Sequence, residues 1–441
     1  MAVRLLSRIE AEWRVSLPMI SIFEHPTPRG LADLIGAGSL RIEPLAADAA
    51  PLSYAQKRLW FLDRLAPGIP AYHVPWTRRL TGNLDVEALQ QAFDTVVARH
   101  EVLRSRIIER NGIPDQVIDP PARVEISRAD LSGLPPDERA GELRARTTTE
   151  ITRAFDLAHD PMMRVNLWRL SDQEHALVVV FHHIATDAES MSIFERELTE
   201  AYTAATENRP LRLPDLPVQY SDFAAWQADH ISEEDLEYWT DKLRSPLPLI
   251  ELYRRRHRPE AFSYRGSHTT IEIDEPVSAA ALRLAAQRRS TPFMVLVAAM
   301  AATINRVTGD TDVVFGSPST ERTHVETEHL LGFFVNTIPL RLAVDPSMSF
   351  TDVLDTVRAT LLDSFEHGSV PFEAIVERLS PVRDPSRTPV FQIMLAMAGR
   401  ADATTSGRLG DVELTRLRAG ARMGTTKFDL TVYGSVKDDR L

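Results

Sequence analysis

From about residue 51 onward, apolar and polar positions fall into two kinds of run that alternate along the chain. Residues 86–99 place Leu89, Ala92, Phe93, Val96 and Val97 at helical spacing, which predicts a helix with one buried stripe. Ala176-Leu177-Val178-Val179-Val180-Phe181 is a continuous apolar run, the pattern of a central strand covered on both faces. Met191, Phe194, Leu198, Ala201 and Tyr202 then predict the helix that follows it. The stretch 209–217, rich in Pro, Leu and Arg, reads as an extended connection. The second half repeats the theme, with a helix over 293–304, a strand over 312–315, a strand region over 332–342 and an amphipathic helix over 350–365. Two successive α/β lobes are expected, joined near residues 226–265.

The first residues follow another pattern. Val3, Leu5, Leu6, Ile9 and Trp13 recur at helical spacing, and Thr27-Pro28 opens a second, short helix with Thr as N-cap and Pro at the first helical position. Residues 37–50 are small and aperiodic, a linker. Short helices of this extent bury little core alone, so residues 1–36 read as a fragment of a small bundle.

Composition narrows the function classes. The chain has 441 residues, 44% of them hydrophobic and 25% charged, the balance of an ordinary globular protein of more than one lobe. Its net charge of −12 argues against nucleic acid or an anionic membrane surface as the main partner. Cysteine is absent, which excludes disulfides, thiol nucleophiles and cysteine-based metal sites. No run approaches the roughly 20 apolar residues of a membrane span, and the N-terminus lacks a signal peptide's apolar core. A cytoplasmic, non-redox protein is expected.

The sharpest chemical constellation is His182-His183-Ile184-Ala185-Thr186-Asp187, at the end of the apolar strand. Neighbouring strand residues point to opposite faces, so extended geometry through both histidines turns one inward and the other toward a cleft. Asp187 falls where the chain enters the next helix, a place for a capping or ion-paired carboxylate. A histidine at the end of a rigid strand suits proton acceptance near neutral pH. The alternatives are a structural histidine and a two-histidine, one-carboxylate metal site, the latter made awkward by the opposed rings. Ser/His/Asp hydrolysis lacks a Gly-x-Ser-x-Gly elbow. No metal site is expected.

Seven ordered motifs add to this. They are Leu52-Ser53-Tyr54-Ala55-Gln56-Lys57-Arg58-Leu59-Trp60-Phe61-Leu62, Arg99-His100-Glu101-Val102-Leu103-Arg104, and the histidine pair with Asp187. Tyr220-Ser221-Asp222-Phe223-Ala224-Ala225-Trp226 and Gly332-Phe333-Phe334-Val335-Asn336-Thr337 follow. The last two are residues 367–379 with Pro371-Phe372-Glu373, and Arg383-Asp384-Pro385-Ser386-Arg387-Thr388-Pro389-Val390-Phe391-Gln392. In this order the chain resembles the condensation domains of nonribosomal peptide synthetases, over residues 51–392. Residues 1–36, with Phe23-Glu24-His25-Pro26-Thr27-Pro28, look like the later helices of a peptidyl carrier domain on the donor side. The serine that would bear phosphopantetheine in that family lies upstream of Met1.

The resemblance implies an α/β fold of two chloramphenicol acetyltransferase-like lobes, residues 51–226 and 227–441, forming a V-shaped pseudodimer around a tunnel. The activity implied is attack of an acceptor aminoacyl thioester's α-amine on a donor acyl or peptidyl thioester. Both substrates ride on 4'-phosphopantetheine arms of carrier domains, the donor carrier upstream and the acceptor carrier, with an adenylation domain, downstream. By this resemblance His183 is the tunnel-facing residue, His182 orients, and Asp187 is structural and paired with an arginine. Arg58, Ala188, Glu189, Ser190, Asn336 and Thr337 are candidate tunnel residues. The sequence departs from the family at Ala188 and Glu189, where Gly and often Trp are usual, and Ala188 is expected to intrude on the tunnel rather than strain the turn. The C-terminus reads as truncated. Alternatives are an epimerisation domain, which also uses a histidine pair, a docking domain that recruits a tailoring enzyme and tends to lose the second histidine, and a free-standing acetyltransferase using coenzyme A.

Overall fold

A computed structural model describes residues 49–441 apart from 253–257, 383, 398–405, 418–423 and 438–439, together with 42–45 and the isolated residues 5, 8, 9, 27 and 28. Almost all of the carrier-like segment 1–36 therefore lies outside the described residues, as does most of the linker.

Two hydrophobic cores organise the chain. The first is built on a six-stranded sheet whose centre is β2 (His73–Thr81), β7 (Glu174–His182) and β6 (Met163–Ser171), with β5 (Ile126–Asp130) at one edge. A smaller sheet pairs β1 (Ala49–Pro51) and β3 (Ser105–Arg110) on either side of β4 (Ile113–Ile118). In β7 every residue from Ala176 to Phe181 is fully buried, because helices cover both faces of the sheet. The helix α2 (Val86–Arg99) packs against α4 (Ala188–Glu207) over this sheet, and Phe194 fixes the layer. Its ring meets Phe181 at 4.9 Å and Trp76 at 5.4 Å, both edge-on. The remaining helices of this half are α1 (Tyr54–Leu65), α3 (Pro136–Thr152) and α5 (Tyr220–Asp229).

The second core covers a four-stranded sheet in the order β13 (Leu430–Gly434), β10 (Ile393–Met397), β8 (Asp312–Thr320), β9 (Val335–Ala343). The helices around it are α6 (Glu233–Lys242), α7 (Glu275–Gln287), α8 (Pro292–Thr308), α9 (Phe350–Glu366) and α10 (Phe372–Leu379). Among the described residues no single helix is long and apolar enough to cross a membrane.

The chain does not divide once between these cores. Strands β11 (Ser406–Leu409) and β12 (Val412–Arg416) leave the second sheet's neighbourhood and extend the first, β12 pairing antiparallel with β2. Leu330, Leu331 and Phe334 likewise bury in the first core. Residues 227–441 thus contribute to both cores, reaching the first at these two places. Both segments carry apolar side chains that the first core covers, and for β12 the pairing partner is the open edge of β2.

At Gly316, in the middle of β8, an added Cβ would lie 2.2 Å from the buried Phe391 ring. Gly316→Ala is expected to lower unfolding free energy by about 1–3 kcal/mol, the scale of overpacking. Gly133→Ala, with nothing within 4 Å, is the control and is expected to stay within about 0.5 kcal/mol. Denaturant titration of both variants checks this.

Candidate functional site

Strand β7 ends at His182, and the next three residues, His183–Ala185, form a single 3-10 turn. The backbone N–H of Ile184 donates to His182 Nδ1 at 3.2 Å, so His182 caps the turn that displays its neighbour. The His182 ring is buried edge-on against Phe155 and His73. His183 is half-buried, its ring edge-on to Phe333 with centroids 4.7 Å apart. Two rings aimed into different surroundings do not converge on one metal ion, and among the described residues no group of three His, Asp or Glu is placed to hold one.

The tautomer of His183 follows from its partner. Nδ1 lies 2.7 Å from the carbonyl oxygen of Thr186, an acceptor only, so Nδ1 carries the proton and donates. Nε2 is left with its lone pair and no hydrogen-bond partner among the described residues. Burial first, and the Lys427 ammonium second, push the His183 pKa down to about 3. His182 is also held well below the usual imidazole range, by burial and by the neighbouring imidazoles and cations. The site therefore presents a neutral imidazole with one acceptor nitrogen, able to receive an N–H rather than to store a proton.

Asp187 fixes this turn from the other side. Its carboxylate caps α4, accepting from Ser190 N–H at 2.7 Å, and also accepts from Phe334 N–H at 3.1 Å. Arg322 reaches it at 3.3 Å, donates to Ser190 Oγ at 2.8 Å and to the carbonyls of Thr327 and Leu330, and lies over the Phe334 ring. Asp187 is 4% exposed and Arg322 6%, so this is a buried, densely hydrogen-bonded pair and not a surface bridge. Ser190 donates to the Gly332 carbonyl and accepts from the Gly332 N–H. Glycine is required at 332, where a Cβ would sit 2.0 Å from the Tyr220 ring. Tyr220 in turn donates to the Phe333 carbonyl and meets Ser53, the N-cap of α1. Gln56, one turn into α1, donates to the Ile184 carbonyl.

The remaining candidates separate into two groups. Arg58, on α1, lies 3.3 Å from Glu373 of α10 and over the Phe372 ring, at the junction of the two cores. Ala188 is the first residue of α4, exposed and with negative φ, and Glu189 is half-buried beside it. Backbone strain at Ala188 is thereby absent. Ser190 and Asn336 spend their polar groups on hydrogen bonds within the fold. Ser190 is fully buried with its hydroxyl engaged. The Asn336 amide donates to the carbonyls of Gly368 and Val370 and accepts from the N–H groups of Thr337 and Phe372, using its whole capacity on backbone. Thr337 is buried next to it on β9.

Two titratable groups near this junction escaped the sequence reading. Glu321, hydrogen-bonded by Gln227 at 2.6 Å, has its carboxyl pushed up to about 8 by burial and by Glu373. Lys427 has its ammonium over the Tyr72 ring at 4.9 Å and is pushed down to about 8 by burial and by Arg58. Lysine scarcity was the available signal, since Lys427 is one of four lysines among 50 basic residues. A surface cavity of about 580 Å³ opens elsewhere, lined by Lys242, Asp312 and Arg341 among others, and shares no residue with the histidine turn.

Asp187→Ala would leave the Arg322 guanidinium buried and two N–H groups without their acceptor. A loss of about 3–5 kcal/mol of unfolding free energy is expected, with activity falling alongside it. Asp187→Asn, which keeps an acceptor at the helix N-terminus, is expected to lose less. An inactive Asp187→Ala variant of undiminished stability would contradict the structural role.

The comparisons with known proteins agree on one family. The profile described as "Condensation domain" matches residues 46–441. The chain is 35% identical over 446 residues to one of the linear gramicidin synthase proteins of Brevibacillus parabrevis, covering 98% of this chain and 6% of that protein. It is 37% identical over 447 residues to the phosphinothricin tripeptide synthetase PhsB of Streptomyces viridochromogenes, covering 98% of this chain and 37% of that protein. It thus spans less than two fifths of either relative. Among solved structures, the X-domain from teicoplanin biosynthesis superimposes with a TM-score of 0.82 at 27% identity, covering 91% of this chain and 89% of that one. A buried Asp187–Arg322 node, a neutral histidine turn and a family match over nine tenths of the chain converge, and the chain belongs to the condensation-domain family of nonribosomal peptide synthetases.

Proposed function

We propose that this chain joins two carrier-bound substrates through an amide bond. The donor is an acyl or peptidyl thioester and the acceptor an aminoacyl thioester, each on a 4'-phosphopantetheine arm. The observation that carries the reading is His183 itself, a neutral imidazole whose Nδ1–H is occupied by Thr186 and whose Nε2 lone pair is available. An acceptor α-amine donating an N–H to that lone pair is oriented for attack, and loses its proton as the new N–C bond forms. The bond between carbonyl carbon and sulfur then breaks, and the thiolate takes up the proton. No covalent enzyme intermediate is required. Bringing two thioester arms together supplies several kcal/mol of the barrier reduction.

The finer architecture belongs to the same proposal. The two cores are read as chloramphenicol acetyltransferase-like lobes around a channel, entered by donor and acceptor carriers from opposite ends. Residues 1–36 are read as part of the donor carrier, and an adenylation domain as a further partner, in keeping with the much greater length of the relatives. One observation favours a second reading. The X-domain that this chain resembles is also known in complex with OxyB, which fits a domain that recruits another enzyme.

Loaded donor and acceptor carriers, incubated with the protein and analysed by mass spectrometry, separate these readings. Dipeptide on the acceptor carrier is expected. Exchange of the donor α-proton without joining would indicate epimerisation, and binding of a tailoring enzyme without turnover would indicate recruitment. His183→Ala is expected to slow dipeptide formation by roughly 10²-fold with an unchanged melting temperature. Wild-type rates in that variant would remove His183 from the mechanism.

A further inference from the structure

Segment 424–429 is anchored in the second core. Phe428 stacks on Phe391 with ring centroids 5.4 Å apart, Thr426 N–H donates to the Tyr264 carbonyl, and Arg265 bridges Thr425. Between them Lys427 reaches the first core, where its ammonium lies over the ring of Tyr72 at 4.9 Å. Tyr72 immediately precedes β2, whose first residue, His73, pairs with His182 at the end of β7, next to His183. Lys427 is half-buried, and among the described residues it has neither a carboxylate partner nor a hydrogen bond. An ammonium held out of bulk water without a counter-ion is costly unless an anion arrives during function.

We propose that the Lys427 ammonium faces the carbonyl oxygen of the donor thioester and holds the negative charge that develops there when the acceptor amine attacks. The inference rests on the condensation reading above and names a further catalytic residue for it. Attack forms the N–C bond and moves the carbonyl π electrons onto oxygen, giving an oxyanion beside an ammonium nitrogen. Lys427 lies on the oxyanion side and His183 Nε2 accepts the N–H on the other, so the two groups match the dipole of the intermediate. Collapse re-forms the carbonyl, breaks the C–S bond and releases the thiolate, which takes up the proton that left nitrogen. Both sides balance as thioester plus amine giving amide plus thiol. Preorganised charge aimed at a developing oxyanion is the largest single contribution in many acyl transfers.

Lysine is apt for the position. It is a compact cation that loses its proton more readily than arginine when desolvated. The groups facing it are Arg58 from α1, Tyr72 before β2, and His182 and His183 from the end of β7. Glu373 is taken up by Arg58. Burial and Arg58 together bring the Lys427 pKa down to about 8. The cationic, active form is therefore present below that pH and is lost as pH rises through it.

The test measures dipeptide formation by the full chain with separately loaded carriers bearing uncharged side chains. Lys427→Met is expected to lower kcat by roughly 10²-fold, the scale for removing one oxyanion donor, with KM for the loaded acceptor carrier nearly unchanged. Lys427→Arg is expected to recover much of that rate and to lose the fall in activity near pH 8 that the wild type shows, since guanidinium does not titrate there. Melting curves establish that each variant is folded, and if Lys427→Met does not fold, the pH profile of Lys427→Arg decides. Undiminished kcat in Lys427→Met, or an alkaline fall in Lys427→Arg identical to the wild type, would overturn the proposal. A loss confined to KM would also overturn it, by making Lys427 a binding group. Absence of dipeptide from the wild type would instead overturn the condensation reading, and this inference with it.

Discussion

One buried carboxylate organises the candidate site. Asp187 receives the first turn of α4, the N–H of Phe334 and the Arg322 guanidinium, and so ties the histidine turn to a segment from the second half of the chain. A carboxylate at a helix N-terminus is favoured by the helix dipole, and a buried arginine partner with further acceptors offsets desolvation on both sides. The geometry of His183 follows. With Asp187 fixed, the turn from His183 to Thr186 closes, and the Thr186 carbonyl accepts a hydrogen bond from the His183 Nδ1–H.

The electrostatics around this node follow one logic. Imidazoles at the end of β7 stay neutral because burial penalises their charged form and cations lie nearby. Arg58 and Glu373 meet between the cores, Glu321 is held protonated beside them, and Lys427 supplies an ammonium with no described counter-ion. A region with fixed donors and a neutral acceptor is suited to passing charge through an intermediate. It is poorly suited to storing charge at rest.

Much of this was legible in the sequence wherever a signal was local. The apolar run 176–181 specified a doubly covered strand, and the helix after it was expected from the spacing of Met191, Phe194 and Leu198. What escaped depends on contacts between distant residues. Neither Arg322 as the partner of Asp187 nor the return of β12 to the edge of β2 has a mark in its own segment. The partners of Asn336 and Ser190 were equally out of reach, since these polar side chains serve backbone groups across 32–36 and 142 positions of sequence. Lys427 was hidden in a stretch whose only sequence signal was the rarity of lysine.

The central claim is that His183 works as a neutral imidazole protonated on Nδ1. The most direct measurement is NMR of the folded protein with 15N-labelled histidine, following the His183 ring from about pH 8 to pH 5. The Nδ1–H tautomer is expected throughout, with no titration in that range, because the ring's pKa is pushed down to about 3. A His183 ring that takes up a proton near pH 6.5, or that carries its neutral-state proton on Nε2, would contradict it.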